Sequence, residues 1–549
     1  MELVDYRIDE KYSKKVAYFS MEFAIDQAFK NYSGGLGFLA GSHLRSANDL
    51  GQNIIGVGIL WSYGYYDQNR HEDGTLKVEF LRKFYYFIEE LNLKVQVKIN
   101  GKPITVKAYL LPSKCFDTAP LILLSTDIFE NDYLARTITH KLYDANEETR
   151  IAQEIVLGIG GVKVLEALGE KIDIYHLNEG HALPLVFELL KKYKSLDEVK
   201  KRVVFTTHTP EMAGNEEHNV ELLGRMGFFN GFSVDEVKKT LDYYDDNFSL
   251  TIGALKSAKI ANAVSKIHEK VANEMWKDVK GKCEIIGITN AQNMRYWADK
   301  QLVSWFEEHE DYQLIGRKKH LKRILFEEVA NQTGKLFDPD VLTIVWARRF
   351  AEYKRPWLLA YDKERFRKLV TNTKRPVQII WAGKPYPFDY RAINMFNDLI
   401  ALSKEYKTVA VLIGYELKLS KLLKQGSDIW LNTPRYSREA SGTSGMSATA
   451  NASIHFSIDD GWHDEYYKDD VNSFTIHHAD EKLNNDEIDR IDYENMMKIL
   501  ENEILPIYYE DPQRWIEIVK NGMRDVRYFD ASRMVREYYE KLYNKESKC

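Results

Sequence analysis

The chain has 549 residues, 44% hydrophobic and 13% aromatic, enough for a large core and more than one domain. A net charge of −6 with interspersed acids and bases leaves no electrostatic footprint for nucleic acid. No run approaches the roughly 18 apolar residues of a membrane span, and the odd, widely spaced Cys115, Cys283 and Cys549 offer neither a disulfide framework nor metal spacing. With no apolar signal core at the N-terminus, a reducing, cytoplasmic location is expected.

Residues 16–20 read as a buried strand. The glycine loop Asn31-Tyr-Ser-Gly-Gly-Leu-Gly37 follows, then a helical spacing of Leu39, His43, Leu44, Ala47 and Leu50 closed by Gly51. The run from Gly35 to Ala40 formally matches a dinucleotide fingerprint. However, no strand feeds it directly, and no acidic residue ends a following strand at the right distance. A doubled glycine opening a helix better suits a phosphate or sugar close to the backbone. Residues 54–60 are a second apolar strand. Residues 77–126 alternate as short strands (84–88, 94–99 and 104–111) in an antiparallel patch.

Residues 148–168 form a long helix ended by Gly169. Strand–helix alternation then sets in, with strands at 173–178 and 202–208 around a helix at 182–193. Four more apolar strands stand out at 342–346, 377–381, 408–413 and 428–431. Apolar strands alternating with helices imply parallel sheets covered on both faces, with ligands beyond the C-terminal strand ends. The last 50 residues are helical, with Met534, Val535, Tyr538, Tyr539 and Leu542 on one stripe. The expected division is an N-terminal α/β domain over 1–265, a Rossmann-like domain over 266–505 and C-terminal helices over 506–549 that pack back across the domains.

Two stretches at strand ends carry chemistry. Arg348-Arg349-Phe-Ala-Glu-Tyr-Lys354-Arg355 places four bases where the helix dipole disfavours them unless they meet an anion. In 435–447, Ala440, Ser441, Gly442, Ser444 and Gly445 leave backbone N–H groups uncovered beside Glu439, Arg435 and Arg438. Taken alone, that stretch reads equally well as an ordinary turn. His176, His181 and His208 lie near strand ends without a third ligand at zinc spacing, so no metal is expected. Their neighbours Asn178, Glu179 and Thr207 suit sugar hydroxyls. After Gly442-Thr-Ser444-Gly445 the next residue is Met446, so no nucleophile elbow is present.

Together these motifs resemble the glycogen (α-glucan) phosphorylase family, in its short bacterial and archaeal branch. The resemblance runs from about residue 16 to beyond 465. It rests on Tyr18-Phe-Ser-Met-Glu-Phe23, Tyr32-Ser-Gly-Gly-Leu-Gly37, His176-Leu-Asn-Glu-Gly-His181, Thr206-Thr-His-Thr-Pro210, Asn262-Ala-Val-Ser-Lys-Ile-His268, Ile288-Thr-Asn290, the 348–355 run, Ala382-Gly-Lys384 and Glu439-Ala-Ser-Gly-Thr443. It implies a GT-B fold, two Rossmann-like domains facing across a cleft, and retaining transfer of a glucosyl unit between the non-reducing end of an α-1,4-glucan and phosphate, as glucose 1-phosphate. It also implies that Gly34 and Gly35 give backbone N–H groups to the phosphate that Arg349 and Lys354 bind. His208 would hold glucose through its carbonyl. Asn262 and Glu439 would bond its hydroxyls, with the backbone of Ser441 and Gly442. Leu36, Glu179, His181, Ala440 and Thr443 complete the expected substrate contacts, and family members are often homodimers.

The family's pyridoxal phosphate is held by a lysine directly after the Gly-Met of this motif. Here that position is Ser447, which cannot form a Schiff base. Beside Tyr415, Glu416 falls where the family has a basic residue near the cofactor, and a carboxylate there disfavours a phosphate. Lys418, Lys421 and Lys424 read as one helix face. Covalent pyridoxal phosphate is therefore not expected. Two alternatives stay open: a nucleotide-sugar glucosyltransferase using Arg349 and Lys354 on a diphosphate, and an inactive glucan-binding paralogue.

Overall fold

A computed structural model describes residues 3–546; Cys549 lies outside the described residues. The chain is mixed α/β and separates into two units. One comprises the described residues up to Tyr65, Phe80–Asn290 and the segment from Ala531. The other comprises Tyr66–Glu79 and Ala291–Asp530. Among the described residues no helix is long and apolar enough to cross a membrane.

The first unit is built on nine strands: β1 (Val16–Phe19), β2 (Ile54–Ile59), β3 (Glu89–Ile99), β4 (Lys102–Leu111), β5 (Leu121–Ser125), β6 (Ile174–Asn178), β7 (Val203–Thr206), β8 (Ile260–Ala263) and β9 (Glu284–Gly287). Their order across the sheet is β9-β8-β7-β6-β1-β2-β5-β4-β3. All neighbours are parallel except β3–β4 and β4–β5, so the antiparallel patch is an extension of the main sheet. The expected strand at 84–88 is instead irregular chain and turn, with Phe84 and Tyr86 exposed. Its aromatic residues carry strand propensity but pair with no neighbouring strand. The central strands β1, β2 and β6 are buried along their length, as a covered parallel sheet requires; β1 and β2 are apolar, and β6 carries the buried polar residues His176 and Asn178. Helix α1 (Gly35–Asp49) starts at the doubled glycine, and Gly51 follows its end at φ +63°. The long helix is continuous but widens into a π-type turn at Val156–Gly160, after α2 (Glu147–Ile155).

The sequence reading divided the chain after residue 265. Strand β9 pairs in parallel with β8, from Ile260↔Glu284 to Ala263↔Gly287, so the first unit runs on to Asn290. The C-terminal segment is likewise divided, with the residues up to Asp530 in the second unit and those from Ala531 in the first.

The second unit holds a six-stranded, all-parallel sheet: β10 (Leu342–Ala347), β11 (Val377–Ala382), β12 (Val409–Leu412), β13 (Ile429–Asn432), β14 (Ile454–Ile458) and β15 (Ser473–Ile476), in the order β12-β11-β10-β13-β14-β15. The four expected strands are present, with β14 and β15 added. The core packs Leu342, Ile344, Trp346, Ile379, Trp381, Ile429 and Phe456 on one face and Val345, Ile380, Ala410, Leu412 and Trp430 on the other. Helices α3 (Leu417–Gly426) and α4 (Ser444–Thr449) pack together beside β13.

Candidate active site

The expected residues fall in both units, and each set is described within its own. In the second unit, the turn after β10 and the loop after β13 meet at Glu439. Lys354 Nζ donates to Glu439 Oε2 at 2.6 Å and Arg348 NH1 donates to the same oxygen at 3.0 Å. All three side chains are largely buried. Burial alone pushes a carboxylate pKa up, but Lys354, Arg348 and Arg349 outweigh it and hold Glu439 at about 2. The four bases of 348–355 thus have different tasks. Arg348 and Lys354 face Glu439, whereas Arg349 is exposed at the edge of the same field. Arg355 is buried, donating to the Thr433 and Pro434 carbonyls and to Asp489. Arg435, expected beside the anion site, also pairs with Asp489.

The Glu439 loop rests on a second turn, Asp460-Gly-Trp462, which the sequence reading did not single out. The Glu439 N–H donates to Asp460 Oδ2 at 3.0 Å, the Gly461 N–H to Asp460 Oδ1 at 2.7 Å and the Trp462 N–H to the Ser441 carbonyl at 2.9 Å. Burial, with Glu439 and Asp459 adding to it, pushes the Asp460 carboxyl up to about 8 against its two backbone donors. Gly461 sits at φ +59°, and a Cβ there would lie 2.4 Å from the Ser441 carbonyl oxygen. The only sequence signal was the Asp-Asp-Gly run itself, which reads as an ordinary turn. Ala440 and Ser441 are buried, and Thr443 Oγ1 accepts from Gln292.

The expected cofactor position lies in α4. Ser447 is 0% exposed, and its Oγ donates to the Ser444 carbonyl within the same helix. Tyr415 donates its hydroxyl to the Ala347 carbonyl, and the Gly414 and Tyr415 N–H groups both donate to Gln68 Oε1. Glu416 pairs with Lys384 at 3.3 Å. The three lysines of α3 differ in their surroundings. Lys418 is exposed, Lys421 lies over the Tyr296 ring, and Lys424 is 1% exposed with Nζ 3.5 Å from the Trp297 ring centroid. Burial holds the Lys424 amine well below its ordinary pKa.

In the first unit, loops at the ends of β1, β6, β7 and β8 are tied together. The Glu179 N–H bonds the Thr206 carbonyl and the Thr207 N–H bonds the Asn262 carbonyl. Glu179 adopts φ +72°, a strained value for a side-chain-bearing residue. Its Oε1 accepts from the His208 N–H at 2.5 Å and from the Thr209 hydroxyl at 3.0 Å. His208 Nε2 meets Asn178 Oδ1 at 2.7 Å, and burial, with His268 and His181, lowers its pKa to about 3. His208 is therefore a neutral, fixed ring at ordinary pH. His181 Nε2 lies 3.3 Å from Arg150.

Two placements differ from expectation. Asn262 is 0% exposed, with Oδ1 taken by Thr206 and Nδ2 by the Ala263 carbonyl, so its side chain is committed to the sheet. The Gly34 N–H donates to Glu22 Oε2 at 3.1 Å, and the same carboxylate accepts from the Ser33 N–H, the Ser33 hydroxyl and Tyr143. An internal carboxylate thus uses one of the two N–H groups expected to meet phosphate. A Cβ at Gly34 or Gly35 would meet nothing within 4 Å, so space remains in front of this turn. Leu36 is half-buried in the first turn of α1.

No protein-family model matches the chain. It is 34% identical to the maltodextrin phosphorylase of Thermococcus litoralis, over 97% of this chain and 71% of that protein. It is 31% identical to the glycogen phosphorylase of Aquifex aeolicus, over 98% of this chain and 87% of that protein. An uncharacterized protein of Methanocaldococcus jannaschii is 50% identical, over 96% of this chain and the whole of that protein.

Proposed function

The chain belongs to the glycogen and maltodextrin phosphorylase family, and from that premise we propose that it transfers glucosyl units between an α-1,4-glucan and phosphate, with retention, without pyridoxal phosphate linked at residue 447. The observation that carries this reading is the buried Lys354–Glu439–Arg348 cluster at 2.6 and 3.0 Å. An ammonium with three donors and a guanidinium held on one carboxylate form a preorganised cationic wall, and Arg349 extends it to the exposed side. Orthophosphate meets Lys354 and Arg349 there. Glu439, ionised down to about pH 2, accepts from a glucose hydroxyl and keeps the cations oriented. Transfer through an oxocarbenium-like centre beside a phosphate dianion needs position and charge more than a protein nucleophile.

The residues present do not fit a Schiff-base cofactor at 447. Serine supplies no amine, its hydroxyl is used within α4, and Glu416 faces Lys384 with a carboxylate. No step is therefore assigned to that group. Each unit is built on a largely parallel sheet with its candidate loops at strand ends, as a GT-B enzyme requires. Retained cations around an ionised glutamate favour an active enzyme over an inert paralogue.

The test is Lys354→Ala. Glucose 1-phosphate formation should fall by about 10²–10³-fold, with glucan affinity nearly unchanged. Equal loss of glucan affinity contradicts the assignment.

A further inference from the structure

Within the first unit, a second cluster of charges lies apart from the residues given roles above. Helix α2 presents Glu147, Arg150 and Glu154 at spacings of three and four, which places them along one face. The short strand Glu217–Asn219, paired antiparallel with Asn247–Ser249, brings Glu216 and His218 against that face. One ligand atom each from Glu154, Glu216 and His218 can be chosen so that all lie within 4.8 Å of one another.

Glu154 is 0% exposed, yet neither carboxylate oxygen has a hydrogen-bond partner among the described residues. A buried carboxyl without a partner is costly unless something compensates it. His218 Nδ1 lies 2.9 Å from Glu147 Oε1. A carboxylate there fixes the Nδ1–H tautomer and leaves Nε2 with its lone pair. Among the described residues that Nε2 has no hydrogen-bond partner, and it lies 3.4 Å from Glu216 Oε1. The cluster holds three carboxylates (Glu147, Glu154 and Glu216) and one guanidinium, Arg150, which donates to Glu216 Oε2 at 3.0 Å and lies in the field of Glu154. With all three carboxylates ionised and His218 neutral, as ligation requires, the balance is two negative charges, which one dication cancels; without an ion, burial pushes the Glu154 carboxyl up toward its neutral form.

We propose that Glu154, Glu216 and His218 bind a divalent first-row transition ion, with Glu147 as the outer carboxylate that orients His218. Two oxygens and one imidazole nitrogen suit zinc or its neighbours better than calcium or magnesium, which take oxygen ligands. Tetrahedral ligands at about 2.1 Å stand roughly 3.4 Å apart, so small side-chain rotations close the 4.8 Å envelope. The motif was invisible at sequence level because the ligands come from a helix and from a strand about 60 residues later. Through Arg150, which also touches His181, the ion steadies the turn after β6.

The experiment dialyses the full-length protein against EDTA, adds ZnCl₂ alone, removes excess and measures zinc per chain. Cobalt is used in parallel for its visible spectrum. Wild type should retain one zinc per chain, with a cobalt spectrum of nitrogen and oxygen ligation and no thiolate band. Glu154→Gln and His218→Gln should lose it, and Glu147→Gln should weaken binding by about 10–100-fold. Wild type that retains no zinc overturns the proposal, leaving Glu154 as a protonated acid. Zinc retained equally by wild type and both ligand variants overturns it as well.

Discussion

Arg348 and Arg349 are adjacent in sequence and differ in task. Arg348 is buried on Glu439, whereas Arg349 is exposed. Arg348→Ala should cost about 1–3 kcal/mol of stability through the lost charge-assisted bond. Arg349→Ala should leave stability within about 0.5 kcal/mol and raise KM for phosphate instead. Denaturant unfolding and phosphate kinetics on both variants separate the two roles. The acidic residues carry opposite pH signs. Asp460 is held up to about 8 against an ordinary 3.8, so the stability it contributes is full below pH 3.8 and lost as pH rises to about 8. Glu439 is held down to about 2 against 4.5, so its contribution is full above pH 4.5 and lost as pH falls to about 2. Asp460→Asn should flatten the decline of Tm between those upper limits, even though it sacrifices one backbone bond. An unchanged slope would show that Asp460 ionises freely in the folded protein. That Lys354 and the basic run would gather with Glu439 was legible because charge at a strand end is unusual enough to need an explanation. The division of labour between Arg348 and Arg349 was not, since it depends on which way each neighbour points along the chain.

At the scale of turns and strands, two glycines hold backbones close together. A Cβ at Gly383 would lie 1.9 Å from the Arg348 carbonyl oxygen, and Gly461 stands in the left-handed region against Ser441. Gly461→Ala should cost at least about 1–2 kcal/mol and displace the Glu439 loop. Reduced unfolding free energy together with reduced transfer is expected, and full activity in a destabilised protein would detach this turn from the site. The Ala382-Gly-Lys384 motif was visible in the sequence, but the reason for its glycine is a contact between two strand ends. Strands β14 and β15 escaped the apolar-run criterion because His455, Ser457 and Thr475 interrupt them. Those polar groups are nevertheless buried and satisfied: His455 bonds Asn432 and His463, and Ser457 donates to the Ile458 carbonyl. Composition alone does not reveal a polar group that will find a partner inside.

For the whole chain, alternation of apolar strands and helices was enough to predict two α/β bodies on parallel sheets, because a sheet buried on both faces leaves a continuous apolar signature. It did not reveal that Tyr66–Glu79 belongs with the second body, where Gln68 bonds the Gly383 carbonyl and the Gly414 and Tyr415 N–H groups. Nor did it reveal that β9 carries the first body on to Asn290. Such pairings are long-range and leave no local mark. At the position where a cofactor lysine is expected from the family resemblance, Ser447 is buried and bonded within α4, with the Lys424 amine on the neighbouring helix. The most direct measurement is glucose 1-phosphate formation from maltoheptaose and orthophosphate by the purified chain, without added pyridoxal phosphate, with its visible absorption recorded and borohydride trapping followed by peptide mass analysis. Product without a cofactor band or adduct is the predicted result. A pyridoxal adduct trapped on Lys424 or any other lysine, or glucosyl transfer only from a nucleotide sugar, would contradict it.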